Sequence, residues 1–467
     1  MEPDDTLVQI EGALDPFRDL RHGELEQLYV DTLDSPAQRI HGRLTRFFRR
    51  ASASGEAGTA IHSFVCGARG SGKTTQMLRL ESKIRDQAHV LFLDLGPLQP
   101  AKLSSRSILV ILGLALLTRL RDTPGLAEGT REVVKRFRDS PVFTKPTTTH
   151  GSQDEGGVDT LIEGTADLMK LAPDPTTQVA AGALSATAKV LSLARRLSGS
   201  RARVQPLRNL TDVLASSTKA GDAGEIVKDV NDLLVHFQAA QQVPVLLIID
   251  GVDKARTVHE ALAAFDQIEL LTDLVAPVVL TGPAQLRHHP SLQDLAQHIY
   301  IEPVGTTLVV GQDGSDQPEE LARMERMLWA RVPTELRPSI DAPAVKQAAK
   351  AGAGLPRDSL LILQGAVADA ADNGAARVGL EHVERSMRRE RLQRQATLNA
   401  GDLELLHRVL RTGQLPEAAR AHELLFLNYI VLYTNGQGWY RPHALLATWV
   451  QDEWKRQDDL QEEDLRQ

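Results

Sequence analysis

Apolar and polar positions divide the chain into two regimes. In the first, short apolar, β-prone runs at 61–66, 89–95, 243–249, 275–280 and 298–301 alternate with longer segments at helical spacing. The run Val243-Pro244-Val245-Leu246-Leu247-Ile248-Ile249 has no polar face, as expected of a parallel strand buried on both sides. Between the runs, Ile226, Val227, Val230, Leu233, Leu234 and Phe237 share one face at a period of 3.6. Five strands interleaved with helices predict an α/β fold with a parallel five-stranded sheet.

After Asp313 the pattern becomes helical, with segments at 319–331, 342–351, 357–371 and 379–395. The last region, about 402–455, reads as two or three helices and a hairpin whose tip is Asn435-Gly436. Helices followed by a short hairpin predict a winged-helix module. Upstream, residues 1–58 read as mostly helical, and arginines crowd Leu44, Phe47 and Phe48. Residues 141–156 are rich in Thr, Pro, Gly and Asp, and 157–197 are rich in Ala and Leu around Pro173-Asp174-Pro175. The predicted organisation is an N-terminal helical segment (1–58), a core (59–312) with a helical insertion at about 140–210, a helical lid (313–398) and a winged-helix-like domain (399–467).

The 467 residues are 42% hydrophobic and 24% charged, ordinary for a globular protein, and the length suggests two or three domains. Only 4% are aromatic, so the core is expected to be rich in Leu, Val and Ala. A net charge of −8 argues against general affinity for polyanions but leaves room for local basic patches. The single Cys66 excludes an internal disulfide framework and fits a reducing cytoplasm. The acidic start, Met1-Glu2-Pro3-Asp4-Asp5, does not suit a signal peptide. The longest apolar run, 108–117, is too short to span a bilayer. The expectation is a cytoplasmic protein without a membrane partner.

The chemistry concentrates after the first strand. Gly67-Ala68-Arg69-Gly70-Ser71-Gly72-Lys73-Thr74 fits the phosphate-binding pattern G-x-x-x-x-G-K-[ST], between an apolar run and a helical one. Gly67, Gly70 and Gly72 let the backbone approach phosphate oxygens, and the loop amides with the helix start form an anion site. Ser71 and Thr75 complete the candidate nucleotide-binding set. Lys73 is expected on the β- and γ-phosphates, and Thr74 on Mg²⁺. The second metal ligand is Asp250, where the run 243–249 enters Asp250-Gly251-Val252-Asp253-Lys254. Asp253 is a candidate for polarising water, with a solvated turn as the alternative. Gly251 stands where many ATPases place a catalytic glutamate, which predicts slow turnover. Thr281 ends the next strand and is a candidate γ-phosphate sensor. Arg357, in Gly354-Leu355-Pro356-Arg357, is placed to reach the phosphates from the lid. Arg331 and Arg287 are weaker candidates for an arginine acting across a subunit interface. With no Asn-Lys-x-Asp guanine motif, ATP is the expected nucleotide.

In this order the motifs resemble those of AAA+ ATPases and the related STAND NTPases. Asp250-Gly251-Val252-Asp253 looks like the STAND form of the acidic motif. Gly354-Leu355-Pro356-Arg357 is similar to the sensor 2 start of Orc/Cdc6 initiators. The resemblance implies an ASCE-type sheet of order 5-1-4-3-2, a helical lid, a C-terminal winged helix and nucleotide-controlled self-association. Lys73 and Asp250 stand farther apart than a compact core of this kind requires, which is the reason for expecting an insertion. Two functions follow from the resemblance. One is an ATP-driven assembly switch of the bacterial antiviral defence kind, with a separate effector protein. The other is a DNA-binding ATPase of the Orc/Cdc6 or transposition-regulator kind. Candidate DNA contacts are Arg385, Arg388, Arg389 and Arg391; Arg195, Arg196, Arg201 and Arg203; Arg49 and Arg50; and Trp439, Tyr440 and Arg441 in the wing.

Overall fold

The computed structural model describes residues 3–16, 24–25, 28, 30, 35–54, 60–96, 103–121, 128–138, 223–255, 257–288, 299–434 and 438–466. The insertion expected at about 140–210, with Arg195, Arg196, Arg201 and Arg203, lies outside the described residues, as does the hairpin tip 435–437.

Numbered among the described residues, α1 (Pro3–Ala13) and α2 (Pro36–Ser54) precede β1 (His62–Gly67). Next come α3 (Lys73–Ile84), β2 (His89–Asp94), α4 (Ser105–Arg121), α5 (Glu128–Arg138), α6 (Ala223–Gln241) and β3 (Val245–Asp250). The short α7 (Val258–Ala263) and α8 (Glu269–Thr272) lead to β4 (Val278–Pro283) and β5 (Ile299–Val304). The helical half holds α9 (Pro318–Arg331), α10 (Ala342–Ala351), α11 (Pro356–Asp372) and α12 (Leu380–Gln395). The end holds α13 (Ala400–Thr412), α14 (Ala419–Phe426), β6 (Ile430–Tyr433), β7 (Trp439–Pro442) and α15 (Ala444–Arg466).

The first five strands form one parallel sheet in the order β2-β3-β4-β1-β5, which is 5-1-4-3-2 read from the other edge. Every residue of β1, β3 and β4 is buried, which explains why their runs carry no alternation. One face of the sheet packs on α4 and α6 through residues such as Leu112, Leu116, Leu233 and Phe237. The other packs on α2 and α3 through Ile40, Leu44, Met77 and Leu80. Parallel register sets Asp94 beside Asp250 and Val65 beside Thr281, so the strand ends that carry chemistry share one edge.

The lid has its own core of Leu328, Ala348, Leu363 and Val367, and α1 joins it with Leu7, Ile10 and Leu14. The segment before β1 is therefore divided: α1 belongs to the lid core and α2 to the sheet core. Two features fix how the lid meets the sheet. Gly354 has φ +79°, and a Cβ there would lie 1.9 Å from the Thr307 carbonyl oxygen, so only glycine fits. Pro356 then starts α11 at a position where its missing N–H costs nothing.

The last module runs helix, helix, antiparallel hairpin, helix, with Tyr433 stacked on Trp439 at 4.5 Å. It is docked on the core. Phe426 packs with Ala255 and Ala261, the Asn428 amide donates to the Arg69 carbonyl at 2.8 Å, and the Tyr433 hydroxyl donates to the Ala353 carbonyl at 3.0 Å. Among the described residues, no helix is long and apolar enough to cross a membrane.

At the start of α13, Asn399 and Asp402 cap each other's backbone N–H at 3.0 Å, and Arg420 grips the buried Asp402 carboxylate at 2.8 and 2.9 Å. The Arg420 hydrogen bonds outweigh burial and hold the Asp402 carboxyl below the usual range. A depressed folded value gives stability that is present above the unfolded pKa of about 4 and lost as pH falls through the folded one. Asp402→Ala should therefore cost about 2 kcal/mol near neutrality. The gap between variant and wild type should shrink in denaturant melts taken below pH ~4. A gap that stays constant down to the acid limit would contradict this account.

Candidate functional site

The chain leaves β1 at Gly67, turns through Gly70 (φ +77°) and Gly72 (φ +92°), and enters α3 at Lys73. Gly72 caps α3 without a side-chain hydrogen bond, so the first amides of the helix remain available to an anion. A Cβ on Gly67 would lie 2.8 Å from the Ser71 hydroxyl, so the loop closes tightly on itself. The buried Lys73 ammonium lies across it, donating to the carbonyls of Gly67 at 2.9 Å and Ala68 at 2.8 Å and pairing with Asp253 at 2.7 Å.

Asp250 faces this loop from the tip of β3 and is 1% exposed. Thr74 donates its hydroxyl hydrogen to one carboxylate oxygen at 2.6 Å, and Thr281 donates to the other at 2.5 Å. Burial, then repulsion from Asp253, raises the Asp250 carboxyl above its ordinary value, and the two hydroxyls offset part of the rise. Asp253 behaves oppositely. Burial pushes it up, but Lys73 foremost, with Arg69 and Lys254, holds it below the usual range.

The lid closes over the loop. The Arg357 N–H donates to the Gly70 carbonyl at 3.3 Å, and a Cβ on Gly70 would meet the Arg357 Cβ at 2.6 Å. Between loop and lid lies a cavity of about 180 Å³. Arg69, Lys73, Lys254, Arg331 and Arg357 contribute cations to its wall, and Asp253 is the acidic side chain among the described residues that line it. Such a balance favours a compact polyanion. Pro16, Leu78 and Leu360 give the cavity an apolar wall.

The residues singled out in the sequence fall as follows. Gly70, Gly72, Lys73, Thr74, Thr75, Asp253 and Arg357 line this one cavity, and Gly67 and Ser71 belong to the loop beneath it. Asp250 and Thr281 stand behind, joined to it through Thr74. Thr281 faces Asp250, so its reach is to the carboxylate. Arg331 lines the cavity of its own chain, and Arg287 lies under the loop beside Cys66 and Ala68. Burial pushes the Cys66 thiol up to about 12, which makes it inert. Arg69, Lys254 and Pro16 escape sequence reading: the first two occupy variable motif positions, and the third lies far upstream. Of the proposed DNA contacts, Arg385 and Arg389 pair with Asp369 at 2.7 and 3.6 Å, while Trp439 is buried against Tyr433.

No family model and no curated protein matches the chain. Solved structures similar to it include the Aeropyrum pernix ORC2 protein in ADPNP–ADP complexes, at 12% identity and TM-score 0.37, covering 90% of this chain and 93% of that one. Drosophila ORC bound to DNA is similar at 12% identity and TM-score 0.32, covering 91% and 90%. Cdc6p from Pyrobaculum aerophilum is similar at 11% identity and TM-score 0.33, covering 93% and 99%. Likeness at this level fixes neither activity nor partners, which rest on the site itself.

The absence of a glutamate after Asp250 has a steric basis. Gly251 has φ +91°, and a Cβ there would lie 2.4 Å from the Gly96 nitrogen and 2.6 Å from an Asp94 carboxylate oxygen. Gly251→Ala and Gly251→Glu should each lower the unfolding free energy by about 1–3 kcal/mol. Urea melts would measure the loss; unchanged midpoints would mean that the strand tip has room for a side chain.

Proposed function

We propose that the protein binds Mg·ATP and hydrolyses it slowly, and that the bound nucleotide controls a switch in assembly. The observation that carries this reading is the meeting of the Thr74 hydroxyl and the Asp250 carboxylate at 2.6 Å, beside a cavity rich in cations. A hydroxyl and a carboxylate side by side at the phosphate loop can each give an oxygen to a magnesium ion, with phosphate and water completing its shell, and a cation there would offset the desolvation that raises Asp250. Thr74 and Asp250 would hold Mg²⁺, which when bound draws charge from the phosphate oxygens. Lys73, Arg357 and the amides after Gly72 would bind the phosphates.

The Lys73–Asp253 pair supports a switch. In this arrangement Asp253 and two loop carbonyls take the Lys73 hydrogens. A phosphate drawing Lys73 away would release Asp253, a carboxylate that could then accept a hydrogen bond from water. The steric bar at Gly251 supports slow turnover. The lid meets the loop at Gly70 and the C-terminal module meets it at Arg69, so a change in the loop reaches both. A role in bacterial defence with a separate effector follows only from the resemblance of Asp250-Gly251-Val252-Asp253 to the STAND form. Direct DNA binding through the C-terminal module has less support, because Phe426 of α14 and Val431, Tyr433 and Trp439 of the two strands pack inward on neighbouring parts of the chain.

Titration calorimetry with Mg·ATP should give saturable heat. Lys73→Ala should cost about 2–5 kcal/mol of binding free energy, as expected for removing one partner of a buried charge contact. No heat with wild type would remove the nucleotide reading. Light scattering should show the mass rising with ATP and no rise for Lys73→Ala; a mass independent of nucleotide would remove the assembly switch and leave the binding claim standing.

A further inference from the structure

The motif that failed to supply a glutamate supplies something else. The Lys254 side chain lies in the space that Gly96 leaves open: a Cβ on Gly96 would sit 2.4 Å from the Lys254 Cδ and Nζ. Its ammonium reaches the Asp94 carboxylate at 3.2 and 3.5 Å, and the Gly96 N–H fixes that carboxylate at 2.9 Å. Asp94 ends β2 next to Asp250 at the end of β3, and one of its oxygens lies where a side chain on Gly251 would begin. Two glycines and an aspartate thus make a seat for one lysine, which lines the same cavity as the lid arginines Arg331 and Arg357. An ammonium carries three donors, and the long contacts to Asp94 leave it able to engage a second anion. Burial pulls the Lys254 ammonium down, but Asp94, then Asp250 and Asp253, hold it above its ordinary value, so it stays a cation.

We infer that Lys254 contacts the terminal phosphate of a bound nucleoside triphosphate, that Asp94 positions it, and that the pair lets the site tell triphosphate from diphosphate. The inference rests on the nucleotide reading above. Lys73 also grips the loop carbonyls, whereas Lys254 enters the cavity from the acidic motif after β3, so its contact would be lost when the terminal phosphate leaves. Asp94 acts through Lys254 and is a positioning residue.

The test is calorimetry with Mg·ADP and with a magnesium-bound non-hydrolysable ATP analogue. The proteins are wild type, Lys254→Met, Lys254→Arg, Asp94→Asn and the double variant Asp94→Asn/Lys254→Met, each first checked for a wild-type melting profile. Lys254→Met should weaken the analogue about tenfold, as for one lost charge-assisted contact, while ADP affinity changes less than about twofold. Lys254→Arg should keep most of the discrimination. Asp94→Asn should lower it by a smaller factor, and the double variant should lose no more than Lys254→Met alone. The ADP arm controls for any effect of Asp94 on the metal site, because both ligands carry magnesium. Equal losses for the two ligands, or none, would overturn the inference while leaving nucleotide binding intact. Wild-type behaviour of Asp94→Asn would overturn its positioning role. Should Lys254→Met fail to fold, Lys254→Arg and Asp94→Asn still decide the matter: losses that fall equally on ADP and on the analogue would sink it. A wild type that binds neither ligand would sink the nucleotide reading itself.

Discussion

Asp250 is a carboxylate at the end of an apolar strand, buried almost completely, and such a group persists only if its oxygens are satisfied. Thr74 satisfies one oxygen from the helix after the glycine loop, and Thr281 satisfies the other from β4. Those two bonds tie three adjacent parts of the sheet together at its carboxyl edge. The strand order matters for this reason: β4 lies between β1 and β3, so Thr281 reaches Asp250 from one side while the loop after β1 reaches it from above. The cation balance of the cavity is built outward from that fixed point.

Much of this was legible in the residues. Period and composition marked the strands, because β1, β3 and β4 are buried on both faces and are mostly apolar, with His62, Ser63, Asp250 and Thr281 as buried polar exceptions. The glycine loop and Asp250 were legible because phosphate and magnesium binding impose residue types at short, fixed spacing. Side-chain partners were not. Nothing in the local pattern says that Thr281 turns to Asp250, or that Asp253 holds Lys73. Helical spacing alone does not say which way the end of α9 faces, so the place of Arg331 in this cavity wall was not legible. Gly251 read as a missing catalytic group, whereas its φ and the crowding by Gly96 and Asp94 make it a steric requirement.

The docking of the C-terminal module gives the loop a second layer of support. The Asn428 amide holds the Arg69 carbonyl, and the Arg69 guanidinium lies over the Phe426 ring, 5.2 Å from its centre. Burial lowers the Arg69 pKa, Asp253 raises it again, and Arg357 adds repulsion. One arginine in a variable position of the loop thus contacts the final module and feels the charges of Asp253 in the acidic motif and Arg357 in the lid. Of the residues read as either wing contacts or caps of the module's core, Trp439 packs with Val431, Tyr433, Ala68 and the lid residues Ala353 and Leu355, and Tyr440 packs against the module's own core.

The placement of α1 has a thermodynamic corollary. Leu7, Ile10 and Leu14 are buried among lid helices, and Pro16, just beyond, forms part of the cavity wall. If what fills the cavity and what grips α1 are coupled through this contact, the coupling must run both ways with equal strength. Peeling α1 from the lid would loosen the occupant, and the occupant would shield α1 from proteases. Under such coupling, α1 would report on a chamber whose other lining residues lie from Arg69 to Leu360.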